Sequence, residues 1–146
     1  VINKEAVKHV LRVGTALGAR LADFTEFDRK NYFYPDLPKG YQISQYDYPF
    51  VRRGHVNING HAIKLTRIHL EEDAGKLVHP KGKNYSLVDL NRAGTPLMEV
   101  VTQPSINSPA QAKAFLQRLE SARKPKEIIR RPDGMPVFSI FQMPLE

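Results

Sequence analysis

Apolar residues near the start of the chain recur at the spacing of a helix. Ala6, Val7, Val10, Leu11, Ala16, Leu17 and Leu21 favour one face, which predicts a helix over roughly 4–17 with Asn3 as its N-cap and Gly18 as its stop. From Gly54 to Leu70 the period changes to two. Asn59-Gly60 is the favoured two-residue turn, and folding about it sets Val56 opposite Ile63 and Ile58 opposite His61, so that Val56, Ile58, Ile63 and Leu65 share a face. A second turn, Pro80-Lys81-Gly82-Lys83-Asn84, leads into a strand over 85–90, and Leu97-Met98-Glu99-Val100-Val101 reads as another. Ser108-Pro109 then opens a helix through Leu119, with the serine as cap, proline in the first turn and Gln111 three residues past the cap. The order is α+β, an antiparallel sheet with flanking helices.

Between the first helix and the hairpin lie Tyr32, Phe33, Tyr34, Tyr41, Tyr46, Tyr48 and Phe50, interleaved with Arg29, Lys30 and Lys39. Aromatic rings among basic residues can stack on bases. Because Pro35, Pro38 and Pro49 punctuate the run and no stacking motif repeats, the expectation is an ordered loop layer that packs its rings on the sheet.

A chain of 146 residues with 41% hydrophobic and 25% charged residues is enough for one domain with its own core. Nothing in it reads as a membrane span or a secretory signal, and a first residue of valine suggests that the natural start is missing. With no cysteine, disulfides and thiolate metal sites are excluded. The formal charge of +7 would suit a nucleic-acid partner, but it is spread along the chain. Residues 121–146 hold five bases and three acids, leaving +5 on 1–120 without any arginine-rich arm.

The chemistry concentrates in two segments. In Thr66-Arg67-Ile68-His69-Leu70-Glu71-Glu72-Asp73-Ala74-Gly75-Lys76, three consecutive carboxylates stand between a histidine and a glycine-lysine pair at the end of a strand. Such a run can hold a divalent cation on its acids and a phosphate on its lysine, or it can be a solvated turn. Alternation puts His69 with Glu71 and leaves Glu72 on the side of Leu70. In Ser86–Val101, Glu99 sits among apolar neighbours, where it needs a cation, a basic side chain or a proton unless it is the outward residue of a half-buried strand. His9, His55, His61 and His79 show no metal-ligand spacing.

These two segments, together with Asn3-Lys4-Glu5-Ala6-Val7, the stretch from Phe27 to Asp36 and Gly40-Tyr41-Gln42-Ile43-Ser44-Gln45, carry a resemblance. From about Val1 to Leu119 the chain resembles the B subunit of the aspartyl/glutamyl-tRNA amidotransferases. The resemblance implies a glutamine-synthetase-like fold built on an antiparallel sheet, and an ATP- and Mg2+-dependent activity that phosphorylates the side-chain carboxylate of misacylated Glu-tRNA(Gln) or Asp-tRNA(Asn). Ammonia from glutamine then forms the amide. By matching positions it implies Glu71 and Glu72 as catalytic residues, Glu72 and Glu99 as metal ligands, and Lys76 and Arg92 as contacts to phosphate or substrate. The implied partners are the amidase (A) subunit, the small (C) subunit and misacylated tRNA, the last gripped mainly by regions beyond this segment, with no DNA and no membrane. The implied compartment is a bacterial cytoplasm or an organelle matrix.

Two departures accompany the match. The family's opening strand, with its Gly-Leu-Glu-Val-His pattern, has no counterpart here, and Ser121 to Glu146 do not continue the family pattern. The expected organisation is therefore a partial catalytic domain over 1–120 and a loosely ordered tail over 121–146, as a truncated or frame-shifted gene product would have, inactive by itself. The competing reading is a non-catalytic scaffold that only docks the amidase.

Overall fold

The computed structural model describes residues 2–123, together with the backbone of 129–130 and 136–137. Helix α1, Lys4–Ala16, begins where the Asn3 side-chain oxygen accepts the Glu5 and Ala6 backbone N–H groups at 2.9 and 3.4 Å. It ends at Gly18, whose φ of +65° is a left-handed conformation that closes a helix without a Cβ penalty. Ala6, Val10, Val13 and Leu17 are buried along its inner face, as the helical spacing requires.

Against that face lies a four-stranded antiparallel sheet in the order β1-β4-β5-β8, formed by β1 (Arg20–Leu21), β4 (Val51–Ile58), β5 (His61–Glu72) and β8 (Pro96–Thr102). Asn59 and Gly60 join β4 to β5 with positive φ at both positions, the twist-matched turn for a two-residue hairpin. The register pairs Val56 with Ile63 and Ile58 with His61, as the pattern predicted.

Further along, both strands shift phase. Arg53 adopts φ +49°, and the pairing of β5 with β8 slips between Leu65 and Arg67. Before the slip Ile63 and Leu65 are buried against the helices; after it Ile68 and Leu70 are. A bulge of this kind re-aims side chains. Here it turns Arg67, His69 and Glu71 to the face away from the helices.

Helix α2, Pro109–Arg123, runs beyond Leu119 and packs beside α1 through Phe115 and Ala122. Gln111 N–H donates to the Ser108 hydroxyl and the Gln111 side chain accepts the Asn107 N–H, so its start is capped as expected. Strands β6 (Lys76–Val78) and β7 (Leu87–Asp89) form a separate exposed hairpin around the second predicted turn. Beyond Arg123, strands β9 (Ile129–Arg130) and β10 (Pro136–Val137) pair antiparallel. The expected looseness of the tail falls on positions that otherwise lie outside the described residues.

The aromatic segment departs from expectation. It contains a strand pair, β2 (Asp28–Asn31) with β3 (Tyr41–Ser44), and of its rings only Phe50 is buried, while Tyr32, Phe33, Tyr34, Tyr46 and Tyr48 are exposed. What fastens this layer is polar. Buried Gln45 donates through Nε2 to the Glu26 and Tyr48 carbonyls at 3.2 Å and accepts the Leu70 N–H at 3.2 Å, which ties the layer to β5 with its amide satisfied. No helix among the described residues is long and apolar enough to cross a membrane.

Candidate functional site

On the face away from the helices, β5 and β8 place three potential ligands together. His69 stands directly across from Glu99 in the antiparallel register, and Glu71 follows His69 by two residues on the same side. His69 Nε2 lies 3.4 Å from Glu71 Oε2 and 3.6 Å from Glu99 Oε2, and one ligand atom from each of the three fits within 4.8 Å of the others. Ser44 Oγ donates to Glu71 at 3.1 Å and Lys30 Nζ lies 3.8 Å away, which gives the buried carboxylate two partners from the β2–β3 layer.

Burial holds His69 below the ordinary histidine range, against the opposing pull of Glu99 and Glu71. The imidazole is therefore neutral near pH 7, the form that ligates metals. Arg67 Nε approaches His69 Nδ1 at 3.3 Å. Since the guanidinium can only donate, Nδ1 is assigned as the acceptor and the ring proton to Nε2, directed between the two carboxylates. Two carboxylates with one imidazole suit a divalent cation. The oxygens match a hard ion such as Mg2+, and the imidazole joins them through Nε2 only once that proton has moved.

Glu72 is elsewhere. It follows Leu70 on the helix-side face, opposite Pro96, while Glu99 lies on the other face, so the structure does not bring these two predicted ligands together. Both Glu72 oxygens accept from Lys39 Nζ, at 2.7 and 2.6 Å, and one also accepts the Ile43 N–H at 2.9 Å. A cavity of about 470 Å³ beside it is lined by Asn3, Ala6, Lys39, Leu70, Glu72 and Gly94, among others.

Arg92 Nε pairs with Asp73 at 3.2 Å across the turn that leads into β8. Lys76 is exposed in β6, in register with Asp89, and makes no ion pair among the described residues. Between them Gly75 is required by close approach: a Cβ there would stand 2.8 Å from the Asp89 carbonyl, and the Gly75 N–H donates to the Asp36 carbonyl at 2.7 Å.

Residues 1–131 match the family described as the GatB/GatE catalytic domain. The chain belongs to that family. It is 52% identical over 127 residues to the B subunit of the aspartyl/glutamyl-tRNA(Asn/Gln) amidotransferase of Moorella thermoacetica, covering 83% of this chain and 27% of that protein. The corresponding B subunit of Geobacillus kaustophilus is 54% identical over 125 residues, covering 83% and 26%. That of Halorhodospira halophila is 51% identical over 133 residues, covering 88% and 28%. The chain thus spans about a quarter of the length of these relatives.

Within this GatB/GatE catalytic domain, sequence reasoning singled out Glu71, Glu72 and Glu99 but did not make His69 a ligand or join it to Glu99. The signal exists only in the pairing of β5 with β8, whose register is fixed across the intervening β6–β7 hairpin. Lys39 was missed as the partner of Glu72 for a related reason, since 33 residues separate them.

Proposed function

We propose that the parent protein carries out the ATP-dependent activation step of tRNA-dependent amidation, and that the face bearing His69, Glu71 and Glu99 is its phosphoryl-transfer site. The observation that carries this is the convergence of two carboxylates and an imidazole within 4.8 Å, in a chain about half identical to amidotransferase B subunits. The glutamine-synthetase-like class of fold, the bacterial cytoplasm and the amidase and small-subunit partners belong to the same proposal, as does tRNA bound mainly outside this segment.

In the proposed reaction, an oxygen of the side-chain carboxylate on Glu-tRNA(Gln) or Asp-tRNA(Asn) attacks the γ-phosphorus of ATP. The bond to the bridging oxygen breaks, and ADP leaves with that electron pair. Ammonia released from glutamine then adds to the acyl carbon, phosphate departs and a proton is lost, leaving the amide. Bound Mg2+ would supply charge neutralisation of the triphosphate.

For their part, Glu71 and Glu99 offer the oxygens to hold that cation. Ser44 and Lys30 fix the Glu71 carboxylate in place, and Arg67 orients the His69 ring through Nδ1. The buried position of His69 and Glu71 keeps bulk water from one side of the site. Lys76 and Arg92 remain candidate contacts to phosphate or substrate, while Glu72, held by Lys39 on the other face, is left out of the site.

The test is the whole amidotransferase carrying Glu71→Gln or Glu99→Gln. Each is expected to lower tRNA-dependent ATP turnover by roughly two orders of magnitude or more, while glutamine hydrolysis by the partner persists. Parental ATP turnover in both variants would refute the reading.

A further inference from the structure

The consecutive carboxylates at the end of β5 are each met by a lysine from the β2–β3 layer, but the two lysines are held very differently. Lys39 Nζ binds both oxygens of Glu72, at 2.7 and 2.6 Å, and lies 4.9 Å from the Tyr41 ring centroid. Arg29 rests 4.2 Å from the centroid of the same ring. Lys30, between them in the layer, has less to hold it. Its Nζ approaches Glu71 Oε2 at 3.8 Å, too far for a hydrogen bond, and its side chain is 57% exposed against 6% for that of Glu71.

The oxygen that Lys30 approaches is the one the candidate site needs. Glu71 Oε2 also accepts from Ser44 Oγ at 3.1 Å and lies 3.4 Å from His69 Nε2, which in turn lies 3.6 Å from Glu99 Oε2. Ser44 positions that oxygen through a directed bond, whereas Lys30 acts on it by charge alone. Among the described residues no other lysine or arginine stands within ion-pair distance of Glu71 or Glu99. Lys30 is thus the counter-ion of the same carboxylates that would hold a cation, and a divalent ion seated on Oε2 meets its ammonium as a like charge. Leaving Glu71 breaks no hydrogen bond and returns rotamer freedom to a long side chain already more than half in solvent.

We propose that Lys30 is an exchangeable counter-ion: it competes with a bare divalent cation for Glu71, and it pairs with phosphate oxygens when the cation arrives carrying a polyphosphate. A bare dication has to displace a charge that already offsets half of the two carboxylates. A polyphosphate brings negative charge of its own, so the displaced ammonium finds an acceptor at the site it has just left. The consequence is selectivity, with the free ion held weakly and the polyphosphate-bound ion preferred. This role rests on the phosphoryl-transfer site proposed above and adds Lys30 to the residues that serve it.

Titration calorimetry of this chain with Mn2+, alone and as its complex with inorganic tripolyphosphate, tests the exchange. Lys30→Met keeps the apolar stem and removes the charge. It should bind bare Mn2+ roughly three- to tenfold more tightly than the parent, and the tripolyphosphate complex roughly three- to tenfold more weakly. Lys30→Arg, which keeps the charge, should return both affinities to within about twofold of the parent. Lys113→Met, the same charge loss on the exposed surface of α2, should change neither. The opposite signs exclude a purely structural role: if Lys30 only propped Glu71 in place, its removal would weaken Mn2+ in both forms, and that result overturns the proposal. Glu99→Gln separates the exchange from the site itself. If Glu99→Gln weakens Mn2+ while Lys30→Met binds the bare ion no more tightly than the parent, or keeps the parental affinity for the complex, the counter-ion role fails and the site stands. If neither the parent nor Lys30→Met binds Mn2+, both fall.

Discussion

His69 on β5 and Glu99 on β8 face each other across the sheet with Nε2 3.6 Å from Oε2, although the histidine side chain is 3% exposed and the glutamate 45%. Buried Glu71 completes the cluster from beneath, so a cation would enter from the Glu99 side. We expect Glu99→Gln and Glu71→Gln to weaken Mn2+ binding to this chain at least about tenfold, by loss of a charged oxygen donor. Glu72→Gln should change it little, because both Glu72 oxygens already hold Lys39. Titration calorimetry separates the cases: an equal loss at Glu72 and Glu99 would move the site to the other face.

The Lys39–Glu72 pair should be structural. Half-open to solvent, with side-chain exposures of 43% and 23%, it is expected to show a coupling of about 1 kcal/mol or less in a double-mutant cycle of Lys39→Met and Glu72→Gln, shrinking as salt is added. Urea melts of the four proteins measure it. A coupling of zero at low salt would mean that the Ile43 N–H alone positions Glu72.

Local signals were the ones legible in the sequence. Asn3, Gly18, Asn59-Gly60 and Ser108 each satisfy or terminate a backbone pattern within a few residues, and the structure has the helix ends and hairpin register they imply. His69 and Glu71 fall together for the same reason, because alternation is local. The phase shift at Arg53 and Thr66 was not legible: neither is a glycine or proline, and continuing the Ile63–Leu65 alternation through it would have turned His69 toward the helices. The aromatic layer misled because proline spacing says where a chain bends and not which way its rings point. There the anchors proved to be Leu37, Gln45 and Phe50, with most tyrosines outside.

At Gly14 the lack of a side chain lets α1 pack close against the sheet. A Cβ at that position would stand 2.5 Å from Val51 Cγ2 and 3.0 Å from Leu21 Cδ2. Alanine favours a helix interior over glycine by about 1 kcal/mol, yet the clash forces the helix off fully buried Val51. Gly14→Ala is therefore expected to destabilise the fold by about 1–3 kcal/mol, read as a lower urea midpoint. A higher midpoint would show that α1 can shift outward without cost.

Acid should weaken this fold before its carboxylates titrate, and His9 should account for part of that. It lies buried on the inner side of α1 with Nε2 lacking a hydrogen-bond partner. Burial, with a further push from the nearby Arg12 charge and only partial opposition from Glu5, holds its pKa below the ordinary value. Above about pH 6.5, the value expected in the unfolded chain, the ring is neutral in both states and contributes no pH dependence. As the pH falls below that, the unfolded chain takes up a proton that the folded chain refuses, so stability is lost until the lower, folded pKa is reached. His69 is depressed in the same direction, so the parent's acid sensitivity alone does not isolate His9. His9→Leu does. Urea melts of parent and variant at about pH 7.5 and about pH 5.5 bracket the upper part of the window, and the variant should lose less stability between them than the parent. Equal losses would place the whole effect at His69 or elsewhere and show that His9 accepts its proton in the folded state.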